Sequence, residues 1–127
     1  MTKADEIAVA AVVRSGWILQ GPKVEEFENQ LAQYIGAPHA VATSSATAAM
    51  HLGLLAAGIG PGDEVIVPSF SFIASANCIV HAGATPVFVD IDPQTFNMDP
   101  VDVERKITKK TRAILAVHQV GLAADIE

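Results

Sequence analysis

Short apolar runs alternate with helical segments from His39 to His118, and this order constrains the possible fold most strongly. Four runs have the length of buried strands: HAVAT, EVIVP, ATPVFVDI and RAILAVH. The helical segments between them are ATAAMHLGLLAAG, IASANCIVHAG and PVDVERKI, the last with Asp99 as its cap. The runs are continuously apolar, which is typical of strands covered on both faces. The sequence therefore predicts an α/β fold with a mainly parallel sheet flanked by helices.

The first part of the chain, residues 1–38, has a different character. An amphipathic helix is predicted in MTKADEIAVAAVV, and a second helix is predicted from Pro22 to Gly36. We expect these helices to pack on the larger α/β part, residues 39–127, or on a dimer partner. The sheet looks unfinished where the sequence stops at ADIE, so we expect a truncated or partial chain.

Charge and composition exclude several classes of protein. Half of the residues are hydrophobic and the net charge is -6, which argues against nucleic-acid binding. The basic residues from Arg105 to Arg112 are interpreted as a solvated helix end. The sequence has no signal peptide or membrane span, and its single cysteine, Cys78, is predicted to be buried and inert. These features predict a cytoplasmic protein.

Ligands of open α/β sheets bind beyond the carboxyl ends of the strands, where SSAT, PSFSF and HQVG fall. In SSAT, Ser45, Ala46 and Thr47 begin a helix. A helix start offers free backbone N–H groups and partial positive charge, so it suits an anion such as phosphate. An ordinary serine cap explains the same residues equally well. The residues alone leave both interpretations open.

Three further candidates lie near strand ends. Phe72 could stack on a flat ring, although a core phenylalanine is the better interpretation of that residue alone. His118, at the end of the fourth run, could face a ligand. Asp90 and Asp92 resemble a metal-binding pair, but Pro93 follows them, and a capped turn is preferred. No metal site is predicted.

Five motifs in order give the chain a resemblance to a known family. They are GWILQGPKVEEFE, SSATAAMHLGL, GPGDEVIVPSFSFIASAN, GATPVFVDID and TRAILAVHQVG. Together they resemble the N-terminal part of the DegT/DnrJ/EryC1/StrS sugar aminotransferases, from Gly16 to Asp125. The resemblance implies part of the large domain of the aspartate-aminotransferase fold, with pyridoxal 5'-phosphate (PLP) as cofactor.

The resemblance also implies roles for individual residues. Ser45, Ala46 and Thr47 match the family segment that holds the cofactor phosphate through backbone amides and the threonine hydroxyl. Phe72 matches the aromatic residue that stacks on the pyridine ring. The segment from Trp17 to Gly21 matches one near the substrate entrance and the dimer interface.

His118 is a weaker candidate on the substrate side, because family members often have an aromatic residue where this chain has Val120. No lysine of this sequence matches the family's Schiff-base lysine. We therefore expect that lysine to lie beyond the chain, which alone would be inactive.

The function that the resemblance implies is transfer of an amino group from glutamate, or a similar donor, to a nucleotide-linked keto-sugar by a homodimer. Two alternatives stay open. One is a related sugar dehydratase that uses pyridoxamine phosphate (PMP). The other is a truncated module that binds or assembles without catalysis.

Overall fold

The computed structural model describes residues 1–126, which form two compact units, Met1–Thr43 and residues 44–126. The first unit contains helices α1 (Lys3–Ser15) and α2 (Pro22–Ile35). The elements of the second unit, in chain order, are α3 (Ala46–Ala56), β1 (Glu64–Pro68), α4 (Ala74–His81), β2 (Thr85–Val89), α5 (Pro100–Lys106), β3 (Thr111–Ile114) and a 3-10 turn at Gln119–Gly121.

Both predicted N-terminal helices are present, and local signals set their ends. Thr2 and Asp5 form a capping box at the start of α1, and Pro22 occupies the first turn of α2. Gly36 closes α2 in the left-handed conformation, with φ 71°. Among the described residues of this unit, only Ala32 is buried, so the apolar side chains of both helices stay largely exposed.

The sheet is parallel, with strand order β2-β1-β3, as the alternation of strands and helices predicted. Every residue of β1 after Glu64 is buried, whereas β3 alternates between half-buried and exposed residues. Coverage of both faces was therefore predicted correctly for β1 only. The edge strands β2 and β3 are also shorter than predicted, spanning Thr85–Val89 and Thr111–Ile114.

The predicted strand HAVAT is wrong, because residues 39–43 are not in a strand. A strand needs a neighbour for its backbone hydrogen bonds, and none of the described strands pairs with this segment. The Ala42 amide instead donates to the Glu28 carboxylate at 2.7 Å. A side chain thus satisfies a group that a strand would have paired.

The core of the second unit lies between β1 and helices α3 and α4. Val65 and Val67 of β1 pack there with Leu54, Cys78 and Ile79. Gly58 and Gly83 close α3 and α4 with φ values of 75° and 81°. After each glycine, the next amide returns to a helix carbonyl, which is the expected helix stop.

Cys78 is fully buried, as predicted, and its thiol donates to the Ser75 carbonyl at 3.2 Å. Burial raises the pKa of this thiol, which keeps it protonated and unreactive. Across the described part of the chain, no helix combines the length and hydropathy needed to cross a membrane.

Candidate functional site

The carboxyl edge of the sheet gathers three of the predicted segments. Helices α3 and α4 each lead into the amino end of a strand, β1 and β2 respectively, through short connections. Their N-termini therefore point toward the opposite, carboxyl edge. Ser45 precedes α3, Phe72 lies just before α4, and His118 follows β3. This is the edge where open α/β sheets bind ligands.

Ser45 is the N-cap of α3, and its hydroxyl accepts a hydrogen bond from the Ala48 amide at 3.1 Å. The predicted serine cap is therefore present. It does not exclude an anion site, because the amides of Ala46 and Thr47 belong to the first turn and have no intrahelical acceptor. Ala46 is exposed and Thr47 half-buried. Two amides and a threonine hydroxyl at the positive end of a helix can bind a phosphate.

Phe72 is 76% exposed, so its interpretation as a core phenylalanine is wrong. The chain leaves the sheet at Pro68, and the Phe72 carbonyl accepts from the Ser75 amide as α4 begins. This turn places the ring outside the apolar core. An exposed aromatic ring at the carboxyl edge can cover a flat ligand ring.

His118 lies four residues beyond the last residue of β3, not at the end of the strand as predicted. Its Nδ1 accepts a hydrogen bond from the Ala124 amide at 3.0 Å. In the neutral ring, Nε2 then carries the proton and remains available as a donor. The imidazole is thus oriented by its own loop.

Asn97 contacts the loop that carries His118, and the sequence did not predict this. Its carboxamide is buried, and it donates to the carbonyls of Leu122 and Ala123 at 3.3 and 3.0 Å. Its Oδ1 accepts from the Gln119 amide at 2.9 Å. The only signal in the sequence is one amide side chain between Phe96 and Met98, which is too weak to predict these contacts.

Asp92 forms the predicted capped turn. Its Oδ1 accepts from the Thr95 and Gln94 amides, each at 2.8 Å, and these bonds lower the pKa of the carboxyl. Asp90 does not pair with it, because the Asp90 carboxylate accepts from the Ile91 amide. No group of three or more potential metal ligands is found within residues 1–126.

Trp17 and Gly21 lie together in the first unit, on an apolar cleft of about 300 Å³. The six-membered ring of Trp17 packs on Gly21 so closely that an added Cβ would lie 3.0 Å from Cε3. Gly21 is in an extended conformation, with φ -167°, so the ring contact and not the backbone favours glycine here. The cleft gives the predicted substrate-side pair a defined shape.

Comparison with known proteins connects this arrangement to a family. Residues 1–127 match the DegT/DnrJ/EryC1/StrS aminotransferase family. The spore coat polysaccharide biosynthesis protein SpsC of Bacillus subtilis (strain 168) is 50% identical over 119 residues, covering 94% of this chain and 31% of SpsC. The UDP-4-amino-4-deoxy-L-arabinose--oxoglutarate aminotransferase of Shewanella sediminis (strain HAW-EB3) is 50% identical over 123 residues, covering 97% of this chain and 32% of that protein.

A solved structure gives the same result. The PMP form of Spr1654 from Streptococcus pneumoniae has a TM-score of 0.94 at 46% identity, over 98% of this chain and 32% of that one. The PLP form of the same protein also has a TM-score of 0.94. The predicted fold class is thus confirmed, and the chain spans about a third of the length of the curated relatives it matches. With its motifs, fold and sequence in agreement, the chain belongs to the DegT/DnrJ/EryC1/StrS aminotransferase family.

Proposed function

We propose that the chain is the N-terminal part of an aminotransferase that uses PLP to move an amino group from glutamate, or a similar amino acid, onto a nucleotide-linked keto-sugar. The observation that carries this proposal is the start of α3 at the carboxyl edge of the sheet, where Ser45 caps the helix and Ala46 and Thr47 offer two amides and a hydroxyl. A solved relative has PLP and PMP forms, and the name of another includes a UDP-sugar and oxoglutarate.

The residues present fit the phosphate of this cofactor. The Ala46 and Thr47 amides have no intrahelical acceptor, and Ala46 has no side chain beyond Cβ to fill the space in front of the helix. The helix dipole favours the negative charge, and the Thr47 hydroxyl adds a donor. The chain would thus anchor the cofactor at one end without any lysine.

The other candidate residues have proposed roles of their own. Phe72, whose ring is exposed, would cover the pyridine ring of the cofactor. When bound, the cofactor supplies an electron-withdrawing ring that stabilises charge on the carbon gaining or losing the amino group. His118 would offer its Nε2–H as a donor to the substrate. By the family resemblance, Trp17 and Gly21 would have a separate role on the substrate side.

The proposal extends to the assembly. Residues 1–38 serve as helices that pack on the large domain or on a dimer partner, and residues 39–127 contribute the cofactor-binding part. The apolar side chains of α1 and α2, largely exposed in the first unit, support a covered position in the complete protein. We place the working protein in the cytoplasm as a homodimer.

Titration of the full-length gene product with PLP, followed by visible absorbance, tests the phosphate site. Thr47→Ala removes a hydrogen bond to a charged group, worth about 1.5–3 kcal/mol, so we expect the Kd for PLP to rise by about 10- to 150-fold. Thr85→Ala is the matched control, because Thr85 is an exposed threonine at the amino end of β2. Equal PLP affinity of the two variants would contradict the proposed phosphate site at the start of α3.

The reaction itself is tested by incubating the full-length gene product with glutamate and a UDP-linked 4-keto-sugar. We expect the sugar to gain an amino group while oxoglutarate accumulates, both measured by NMR. Loss of a sugar hydroxyl without gain of nitrogen would identify the dehydratase instead. If the protein binds PLP but forms neither the aminated nor the dehydrated sugar, a non-catalytic module is favoured.

A further inference from the structure

Asn97 joins two segments that are distant in sequence. It lies in the connection between β2 and α5, yet the three hydrogen bonds of its side chain all reach residues 22 to 26 positions further along the chain. The carboxamide uses both N–H groups and its oxygen, and it is only 6% exposed. A buried amide with every contact on one loop fixes that loop in a single arrangement.

The loop that Asn97 fixes is strained. Val120 has φ 51° and Phe96 has φ 59°, and these are the only non-glycine residues with positive φ in the part of the chain that the structure describes. We call the three side-chain hydrogen bonds of Asn97 the Asn97 clamp. Val120 follows Gln119 and Phe96 precedes Asn97, so both strained residues lie next to residues that the clamp joins. A β-branched residue in this conformation is costly and persists only where its surroundings enforce it.

The loop also orients His118. The Asn97 bonds hold Gln119 on one side of the turn and Ala123 on the other. The next amide, that of Ala124, donates to His118 Nδ1 at 3.0 Å. The clamp therefore determines which ring nitrogen carries the proton and where the Nε2–H donor lies.

We propose that Asn97 is a positioning residue for substrate binding: it holds the loop 118–124 so that His118 presents Nε2–H to a hydroxyl or carbonyl oxygen of the sugar. The proposal rests on the proposed aminotransferase function. Asn97 itself touches neither cofactor nor substrate, and it acts through the loop. Its loss weakens binding of the sugar and leaves binding of the cofactor unchanged.

The test uses the full-length gene product with Asn97→Asp and Asn97→Ala. The aspartate has the same shape and keeps an acceptor for the Gln119 amide, but it cannot donate to the two carbonyls. Asp99→Ala is the matched control. It removes a helix cap two residues away, where the Asp99 carboxylate accepts from the Val101 amide at 2.9 Å, and it leaves the loop contacts intact.

Three quantities are measured: KM for the keto-sugar, Kd for PLP, and the tautomer of His118 from imidazole nitrogen shifts. We expect both Asn97 variants to raise KM about fivefold or more, the effect of a lost hydrogen bond, with unchanged Kd for PLP. We also expect the variants to lose the single Nε2–H tautomer, which Asp99→Ala retains. If Asn97→Asp does not fold, Asn97→Ala carries the test.

A KM equal to that of Asp99→Ala, or an unchanged His118 tautomer, would overturn the proposal. A rise in Kd for PLP as large as the rise in KM would also overturn it, because the effect would not be confined to the substrate. A wild-type protein that transfers no amino group contradicts the proposed function, and with it the substrate role. The tautomer measurement then still determines whether Asn97 orients His118.

Discussion

The carboxylate of Asp102 accepts a hydrogen bond from the backbone amide of Asp90 at 2.8 Å, which fastens the first turns of α5 to the end of β2. The same carboxylate pairs with Lys106 at 2.9 Å and with Arg105. Asp102 is buried, and the amide of Asp90 would otherwise lie unpaired where the strand ends. This contact stops β2 and sets the start of the connection that carries Asn97.

Asp102 makes the stability of the fold depend on pH in the acid range. The Asp90 amide and then Lys106 lower the pKa of this carboxyl from 3.8 to about 2. The contacts of the ionised Asp102 carboxylate stabilise the fold fully when the pH is above the pKa that this carboxyl has in the unfolded chain. This stabilisation is lost as the pH falls from about 4 to about 2. We expect the wild-type Tm to fall across this window and the Tm of Asp102→Asn to fall less. Thermal unfolding from pH 2 to 7 measures both, with exposed Glu104→Gln as the control that keeps the wild-type slope.

Val120→Gly should stabilise the protein. Val120 is 98% exposed, so little packing is lost, and glycine adopts a φ of 51° without steric cost. Relief of about 1–3 kcal/mol of strain, less about 0.5–1 kcal/mol of added chain entropy, gives a net gain of about 1 kcal/mol. The midpoint of urea unfolding reports it. The same substitution at exposed Val9, inside α1, should lower the midpoint, and a gain at both positions would refute the strain argument.

Gly21→Ala should displace Trp17. The new Cβ would meet Cε3 at 3.0 Å, and the ring is 61% exposed, so it can move without disturbing a core. We expect little change in stability but a shift in tryptophan emission, taken as the difference from Trp17→Phe. Gly53→Ala is the control. Gly53 lies in α3 with no atom within 4 Å of the added Cβ, so this change should leave the emission unchanged and stabilise by about 0.4–1 kcal/mol.

Two neighbouring aliphatic residues of α4 test how much burial contributes to stability. Ile79 is fully buried in the core, and Val80 is 55% exposed. Ile79→Ala should destabilise by about 2–5 kcal/mol, because it removes apolar contacts and leaves a cavity. Val80→Ala should change stability by no more than about 0.5 kcal/mol. Urea unfolding compares the two, and similar losses would mean that the α4 interface is misplaced.

The sequence was informative where the structure depends on neighbouring residues. The run EVIVP between turn residues predicted β1, and Gly58 and Gly83 marked the ends of α3 and α4. It was misleading for His39–Thr43, where the apolar pattern has no paired strand among residues 1–126. Strand formation requires a partner, and a single run carries no information about one.

The candidate site shows the same division. The start of α3 was recognisable from three adjacent residues, because a cap and a helix dipole are local. The exposure of Phe72 depends on how the chain leaves β1, and the role of Asn97 depends on contacts 22 to 26 residues away. Such distant contacts arise only from the folded topology.

The two edges of the sheet differ in a way that affects colloidal behaviour. On β2, Lys106 donates to the Phe88 carbonyl at 2.7 Å, so a charged side chain protects that edge. On β3, the outer side faces no strand in the part of the chain that the structure describes. An open edge is a template for intermolecular pairing, which net negative charge opposes. With an isoelectric point near 5.0, solutions of this chain should therefore become turbid on mild acidification, well before Asp102 is protonated.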